Sequence, residues 1–391
     1  MKSAVAVTYE LDDAAEAARE LAGSIIENLE LEKNSVGILL CDADMDGASV
    51  TGNLRERLGV DIVGMTTLAA LDSGGRREGA AVLTVLTAGD CAFLAAVSEP
   101  LGDDDHAEKI AGAYWMTQAA LPDGDASRPA LMFLFCPYGL SFSGDTYPHV
   151  LSQATGNVPI IGGVASDDYD YERARVFFSG TEYKDALVLL GVWGNVKPVF
   201  AMRHVTSRFA ERIRRITEAE GNVVRKVGDE TFVRYLEGFG LKTDVEDPLL
   251  AFTSYPMMLT REGDETPVMR HICGLNLSEG TGSFFGDVPT GALANICLVS
   301  KDDVRAACRE SMKALLEQAG QYSTIFCISC CARATLLGPD ADAEGRILSE
   351  MLPRGLTLAG AYCLGEICPT RYKNGKASNR FHNCSITFCM F

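Results

Sequence analysis

The chain has 391 residues with 35 basic and 53 acidic side chains, a formal charge of −18 at neutral pH, and 47% hydrophobic residues. At roughly one domain per 150 residues, this length allows two or three domains with ample core. The acidity argues against a partner of nucleic acid or an anionic membrane surface. The absence of a secretory signal pattern or of about 20 successive apolar residues argues for a soluble, cytoplasmic protein without membrane insertion.

The first elements read as a strand over Ala4 to Thr8, then a helix after Asp12 and Asp13 with Leu21, Ile25 and Leu29 at four-residue spacing. Acidic side chains at that boundary cap free amides and complement the helix dipole. A second apolar strand, Val36 to Leu40, ends at Cys41; Asp61-Ile-Val-Gly64 and the strand Ala81 to Leu86 complete the unit. The same order returns with Ala92 to Val97, Asp103-Asp-Asp105, a helix around Ile110 to Ala119, the strand Leu131 to Phe135 ending at Cys136, and Pro159-Ile-Ile-Gly162. A third copy is expected to begin at Ala294 to Val299. It continues through Asp302-Asp303 into a helix, then Ile325 to Cys330, Leu358-Ala-Gly360 and a last strand, Cys384 to Phe391.

The distance from cysteine to glycine is 23, 26 and 30 residues in the three copies, so loops differ while the frame holds. Runs such as Leu131-Met-Phe-Leu-Phe135 are apolar on both faces, as buried strands of an α/β fold are. Between the second and third copies lies a different region: a hairpin over Ile213 to Val227 turned at Glu220-Gly221-Asn222, a helix over Asp229 to Phe239, and strands at Arg270 to Leu277 and Gly282 to Phe285. The main boundary falls near residue 200, after Trp193 and Pro198. The fold class is therefore α/β: two closely packed domains with mixed, mainly buried sheets and a repeated strand-helix-strand unit.

In open α/β sheets ligands gather beyond the carboxyl ends of the strands. That points to Asp42 to Gly47, Pro137 to Asp145, Ala332 to Gly338, Gly64-Met-Thr66-Thr67, Gly162-Gly163-Val-Ala-Ser166 and Gly360 to Glu366. Glycine admits close backbone approach there, and Ser or Thr hydroxyls orient a small polar ligand. Asp42-Ala-Asp44-Met-Asp46-Gly47 resembles the opening of a calcium loop, but Asn53 stands where the bidentate Glu belongs, which favours a capping loop.

Ten of the 13 cysteines lie between Cys273 and Cys389. Most read as buried reduced thiols, since Cys327-Ile-Ser-Cys330-Cys331 lacks a second pair at zinc-site spacing. Arg333 can grip a carboxylate and Glu366 can accept from an ammonium, so with Cys330 they form a candidate site for a zwitterion such as an amino acid; a salt bridge between them is the structural alternative. The five histidines form no motif that would activate a nucleophilic Cys330, so a non-enzymatic binding protein is expected. No haem-attachment signature is present. The arginines between Arg203 and Arg215 make a local basic patch, either solvated or facing an acidic partner.

Val63-Gly-Met-Thr-Thr67, Pro159-Ile-Ile-Gly-Gly163, Val176-Phe-Phe-Ser-Gly180, Arg270 to Leu277, Cys330-Cys-Ala-Arg333 and Gly360-Ala-Tyr-Cys-Leu-Gly-Glu-Ile367 occur in the order found in FIST sensory proteins, which this chain resembles over nearly its whole length. The resemblance implies tandem modules at 1–200 and 201–391. It implies a signal-transduction input that binds small ligands such as amino acids, with Arg333, Glu366, Cys330, Thr66, Thr67, Gly163 and Ser166 as candidate contacts. Histidine kinases, chemotaxis proteins and cyclic-dinucleotide enzymes are the partners it implies, and haem-dependent nitric-oxide or redox sensing is its alternative. With the chain ending at Phe391, signalling in trans is expected.

Overall fold

In the computed structural model, which describes the chain except residues 103, 123–124, 140, 206–207, 210–211, 264–265, 319 and 372–376, one strand arrangement occurs three times. Each unit has a leading strand, two parallel strands joined through helix, a short hairpin and a closing strand. In the first unit these are Lys2–Thr8, the pair Asn34–Cys41 and Asp61–Thr66, the hairpin Ala70–Asp72 with Gly75–Arg77, and Ala81–Ala88. In the second they are Ala92–Val97, the pair Leu131–Cys136 and Ile160–Val164, the hairpin Val176–Phe178 with Thr181–Tyr183, and Val188–Trp193. In the third they are Val199–His204, the pair Thr324–Cys330 and Thr357–Cys363, the hairpin Glu366–Arg371 with Ala377–His382, and Ser385–Met390.

Register shows that the units are equivalent. Leu39 pairs with Gly64, Leu134 with Gly162 and Cys327 with Gly360. A Cβ on those glycines would lie 1.9, 2.0 and 2.0 Å from the carbonyl oxygens of Leu39, Leu134 and Cys327, so each parallel pair approaches too closely for any side chain there. Cys41, Cys136 and Cys330 end the first strand of each pair, opposite Thr66, Val164 and Cys363.

The units exchange hairpins in a cycle. The second unit's hairpin extends the first unit's sheet at Asp61–Thr66, the third unit's extends the second's at Ile160–Val164, and the first unit's extends the third's at Thr357–Cys363. Three six-stranded sheets result, each incomplete without a neighbour. The sheets share a large core that includes Phe133, Phe326, Ile161 and Val63. Residue 200 lies in the third unit's leading strand, so the two halves of the chain pack through these exchanged strands.

The helix boundaries follow their caps. Asp13 accepts from the amides of Ala15 and Glu16, and Ser300 with Asp303 forms a capping box at Lys301–Leu316. Three expectations differ: the helix expected over Asp229 to Phe239 is shorter, Phe232–Glu237, the strand expected over Arg270 to Leu277 is broken at His271 into Val268–Arg270 and Ile272–Asn276, and the third copy does not start at Ala294 to Val299. Leu293–Leu298, read as the start of the third copy, instead belongs to a nine-stranded sheet with Met257–Thr260 and Arg214–Glu220. The actual leading strand is Val199–His204, antiparallel to Ser385–Met390. The intervening region is inserted within the third unit, between its leading strand and its first helix. Its hairpin turns at Gly221, whose φ of 55° explains the glycine, and its core gathers Ile216, Phe232, Tyr235 and Phe284.

Candidate functional site

A cavity of about 270 Å³ lies where the insertion meets the three-unit core. The insertion contributes Asp247, Leu249, Leu250, Thr253, His271 and Phe285. The core contributes Tyr169 and Tyr171 from the second unit, and Cys330, Cys331, Ala332, Thr335, Leu364 and Asn383 from the third.

The tyrosine loop is held by one buried carboxylate. Asp167 Oδ1 accepts from the amides of Tyr169 and Tyr171, each at 3.1 Å, and its Oδ2 accepts from Arg173 at 3.1 Å. Both tyrosines adopt left-handed backbone, φ 76° and 62°, a conformation that side-chain-bearing residues keep only when their surroundings enforce it. The Tyr169 hydroxyl donates to the Cys331 carbonyl at 3.3 Å and shares a 2.7 Å hydrogen bond with Thr335 Oγ1, tying this loop to the helix Cys331–Leu337. Across the cavity, His271 Nε2 bonds the Leu249 carbonyl at 3.1 Å, and burial lowers its pKa to about 4, so the ring is neutral.

Of the seven candidate contact residues, Cys330 alone is among the described lining of the cavity, while the candidate loops Ala332 to Gly338 and Gly360 to Glu366 contribute Ala332, Thr335 and Leu364 to it. The neighbouring Cys384 first, and burial second, raise the Cys330 thiol well above the ordinary thiol range. Glu366 lies close behind it, fully buried, accepting from the Ser385 hydroxyl at 2.6 Å and the Ser385 amide at 3.2 Å through Oε2, while Oε1 has no partner. Burial first, and Cys330 second, push this carboxyl well above the usual range against the pull of Ser385, which favours its protonated form.

Arg333 and Glu366 do not form the pair expected of them. The Arg333 guanidinium is fully buried against Glu344, at 2.6 Å through Nη2 and 3.1 Å through Nε, and Nη2 also donates to the Val304 carbonyl. Ser329 and Tyr362 hydroxyls complete the Glu344 carboxylate. This group faces away from the cavity because Cys331 and Thr335, four residues apart, occupy the cavity side of the short helix and Arg333 falls between them.

The remaining candidates cluster where the three units meet. Gly163 is the register partner of Glu366. Ser166 Oγ accepts from the Leu68 amide at 2.9 Å and donates to the Tyr362 carbonyl at 2.8 Å, joining all three units. Thr66 Oγ1 accepts from the Arg175 amide at 3.0 Å, and the Thr67 amide donates to Cys41 at 2.8 Å while its hydroxyl is buried without a partner. In the acidic loop, Asp46 caps the next helix and Asp44 pairs with Arg173. The basic stretch is partly neutralised, Arg203 by Glu310 and Arg212 by Glu230; the Arg208 side chain lies outside the described residues.

Asn383 was not among the sequence candidates. It sits between the third hairpin and the closing strand, is fully buried, borders the cavity, and has no hydrogen-bond partner for either side-chain amide atom.

Family models match the chain in tandem, the FIST N domain over residues 35–230 and the FIST C domain over 230–369. The chain belongs to the FIST family. No curated protein is similar to it. Among solved structures, a cyanuric acid hydrolase is 10% identical, covering 76% of this chain and 99% of its own, with a TM-score of 0.31. A second, from A. caulinodans, is 10% identical over 99% of this chain and 98% of its own, with a TM-score of 0.39. Likenesses this remote carry no argument about activity.

Proposed function

We propose that this FIST-family chain is a non-enzymatic sensory protein of signal transduction that takes a small polar metabolite into the cavity between insertion and core. The supporting observation is the composition of that cavity. Its walls come from two separately built bodies, so a ligand touching Leu249 and Phe285 on one side and Tyr171 and Ala332 on the other favours their closed arrangement. The closed arrangement alters the surface offered to a partner in trans, for which kinases, chemotaxis proteins and cyclic-dinucleotide enzymes are the classes the family resemblance implies.

Two features favour binding over catalysis. The Cys330 thiol is pushed well above the ordinary thiol range beside Cys384 and by burial, and burial also raises its carboxyl neighbour Glu366, so both favour their protonated forms and Glu366 is poorly suited to activate Cys330 as a nucleophile. An amino acid fits less well than the sequence implied, because no Arg or Lys lines the cavity among the described residues and Arg333 is already paired. Haem finds less support: His271 Nε2 is engaged by Leu249, and the described lining offers no cation for propionates.

Thermal-shift measurements with glycine, leucine, glutamate, benzamide and nicotinamide test the reading, followed by calorimetry on Thr335→Phe, which narrows the cavity at a partly exposed wall. Binding by wild type that Thr335→Phe weakens at least tenfold supports it. No binder, or binding indifferent to Thr335→Phe, overturns it, as does a Soret band that survives desalting after haem reconstitution.

A further inference from the structure

Resting on the reading that this cavity takes a small ligand, we propose that the ligand is an uncharged carboxamide, primary or cyclic, whose adjacent N–H and C=O pair with the side chain of Asn383. The amide of Asn383 offers a donor and an acceptor side by side, and both are unused in a fully buried residue at the cavity wall. Buried polar groups are almost always bonded, because an unmet donor or acceptor keeps its full desolvation penalty. The neighbours fix this residue in place. Its carbonyl accepts from His204 Nδ1 at 3.2 Å, Cys384 after it has a left-handed φ of 54°, and Ser385 is anchored on Glu366. A natural complement of a side-chain amide is a second amide, which presents a donor and an acceptor at the same spacing in one plane.

The charge of the surroundings points the same way. His271 is neutral, Cys330 is protonated, and the Asp247 carboxylate at the exposed rim accepts from the Leu250 amide as a helix cap. A ligand carboxylate would enter an apolar space with no counter-charge among the described residues, which is strongly unfavourable. Tyr171, Phe285 and Leu364 suit a flat, largely apolar body carrying the amide.

Three probes of one shape test this: benzamide, benzoate and benzylamine, titrated calorimetrically into the wild-type chain. Benzamide is expected to bind at least tenfold more tightly than either charged probe, and Asn383→Leu, close in volume, to weaken benzamide at least tenfold without lowering the melting temperature. Benzoate or benzylamine binding as well as benzamide overturns the proposal, as does unchanged benzamide binding in Asn383→Leu. Those results would leave the cavity reading standing so long as Thr335→Phe still weakens the probes; absence of binding by all three overturns the carboxamide proposal, and the cavity reading falls with it only if glycine, leucine, glutamate and nicotinamide also fail to bind. If Asn383→Leu fails to fold, the wild-type series decides alone.

Discussion

Two buried polar groups flank the same short stretch, Cys330 to Arg333, and they are finished differently. On one side the Glu344 carboxylate receives Arg333, Ser329 and Tyr362. On the other, Glu366 uses one oxygen and leaves the second unpartnered, and Asn383 uses neither end of its amide. Both oxygens of the Glu344 carboxylate are met by the protein's own residues, and the one atom left over there among the described residues, Arg333 Nη1, faces away from the cavity, so this first arrangement serves the fold. The second leaves bonding capacity beside a cavity, which is how a ligand site differs from a structural network.

The largest test of this contrast is Glu344→Ala. It strands the Arg333 charge in a fully buried position and is expected to cost about 3–5 kcal/mol, read from the urea midpoint at constant slope. The double replacement Arg333→Met with Glu344→Leu removes both charges and is expected to recover most of that loss, since apolar pairs of similar volume often substitute for buried ion pairs without penalty. A loss below 1 kcal/mol in Glu344→Ala would mean that the closed side contributes little to stability.

The frame of the fold was legible because its constraint is local. Gly64, Gly162 and Gly360 sit against carbonyls of the adjacent strand, and their spacing from Cys41, Cys136 and Cys330 records three equivalent parallel pairs. The start of the third unit was not legible, because Val199–His204 finds its partner at Ser385–Met390 across nearly the whole C-terminal half, while Leu293–Leu298 carries the same apolar signature locally. At the site, Cys330 could be named from its strand end, but the direction of Arg333 depends on the turn of Cys331–Leu337 and on Glu344, one helix further on. Asn383 gives no signal in sequence: a single amide residue between two strands is ordinary, and only the arrangement of its neighbours shows that it lacks partners.

Glu366→Gln probes the open side through pH. Because burial raises the folded-state pKa of this carboxyl, the folded chain keeps a proton that the unfolded chain releases above about pH 4.3. Its contribution to stability is full below that pH and declines as pH rises toward the folded value, by about 1.4 kcal/mol per unit. Wild type should therefore lose stability relative to Glu366→Gln between pH 5 and 7, with the difference between the two urea midpoints changing steadily. His204 and His271, both lowered to about 4, lose stability in the other direction as pH falls below 6.5, but they are common to both chains and cancel in the difference. Parallel curves would show that Glu366 is ionised and paired in the fold, and the contrast with Glu344 would disappear.

The smallest effect separates the two roles most sharply. Ser385→Ala removes the 2.6 Å hydrogen bond to Glu366 and should lower stability by about 1 kcal/mol, the ordinary net value of a bond made within the fold. Asn383→Leu, two residues earlier, removes an amide that bonds to nothing and replaces it with apolar surface of similar size, so stability should stay level or rise by up to about 1 kcal/mol. Equilibrium denaturation of both variants without ligand reads the sign directly. A loss in Ser385→Ala beside no loss in Asn383→Leu distinguishes a polar group that holds the fold from one kept for a ligand; a comparable loss at both would place Asn383 within the structural network.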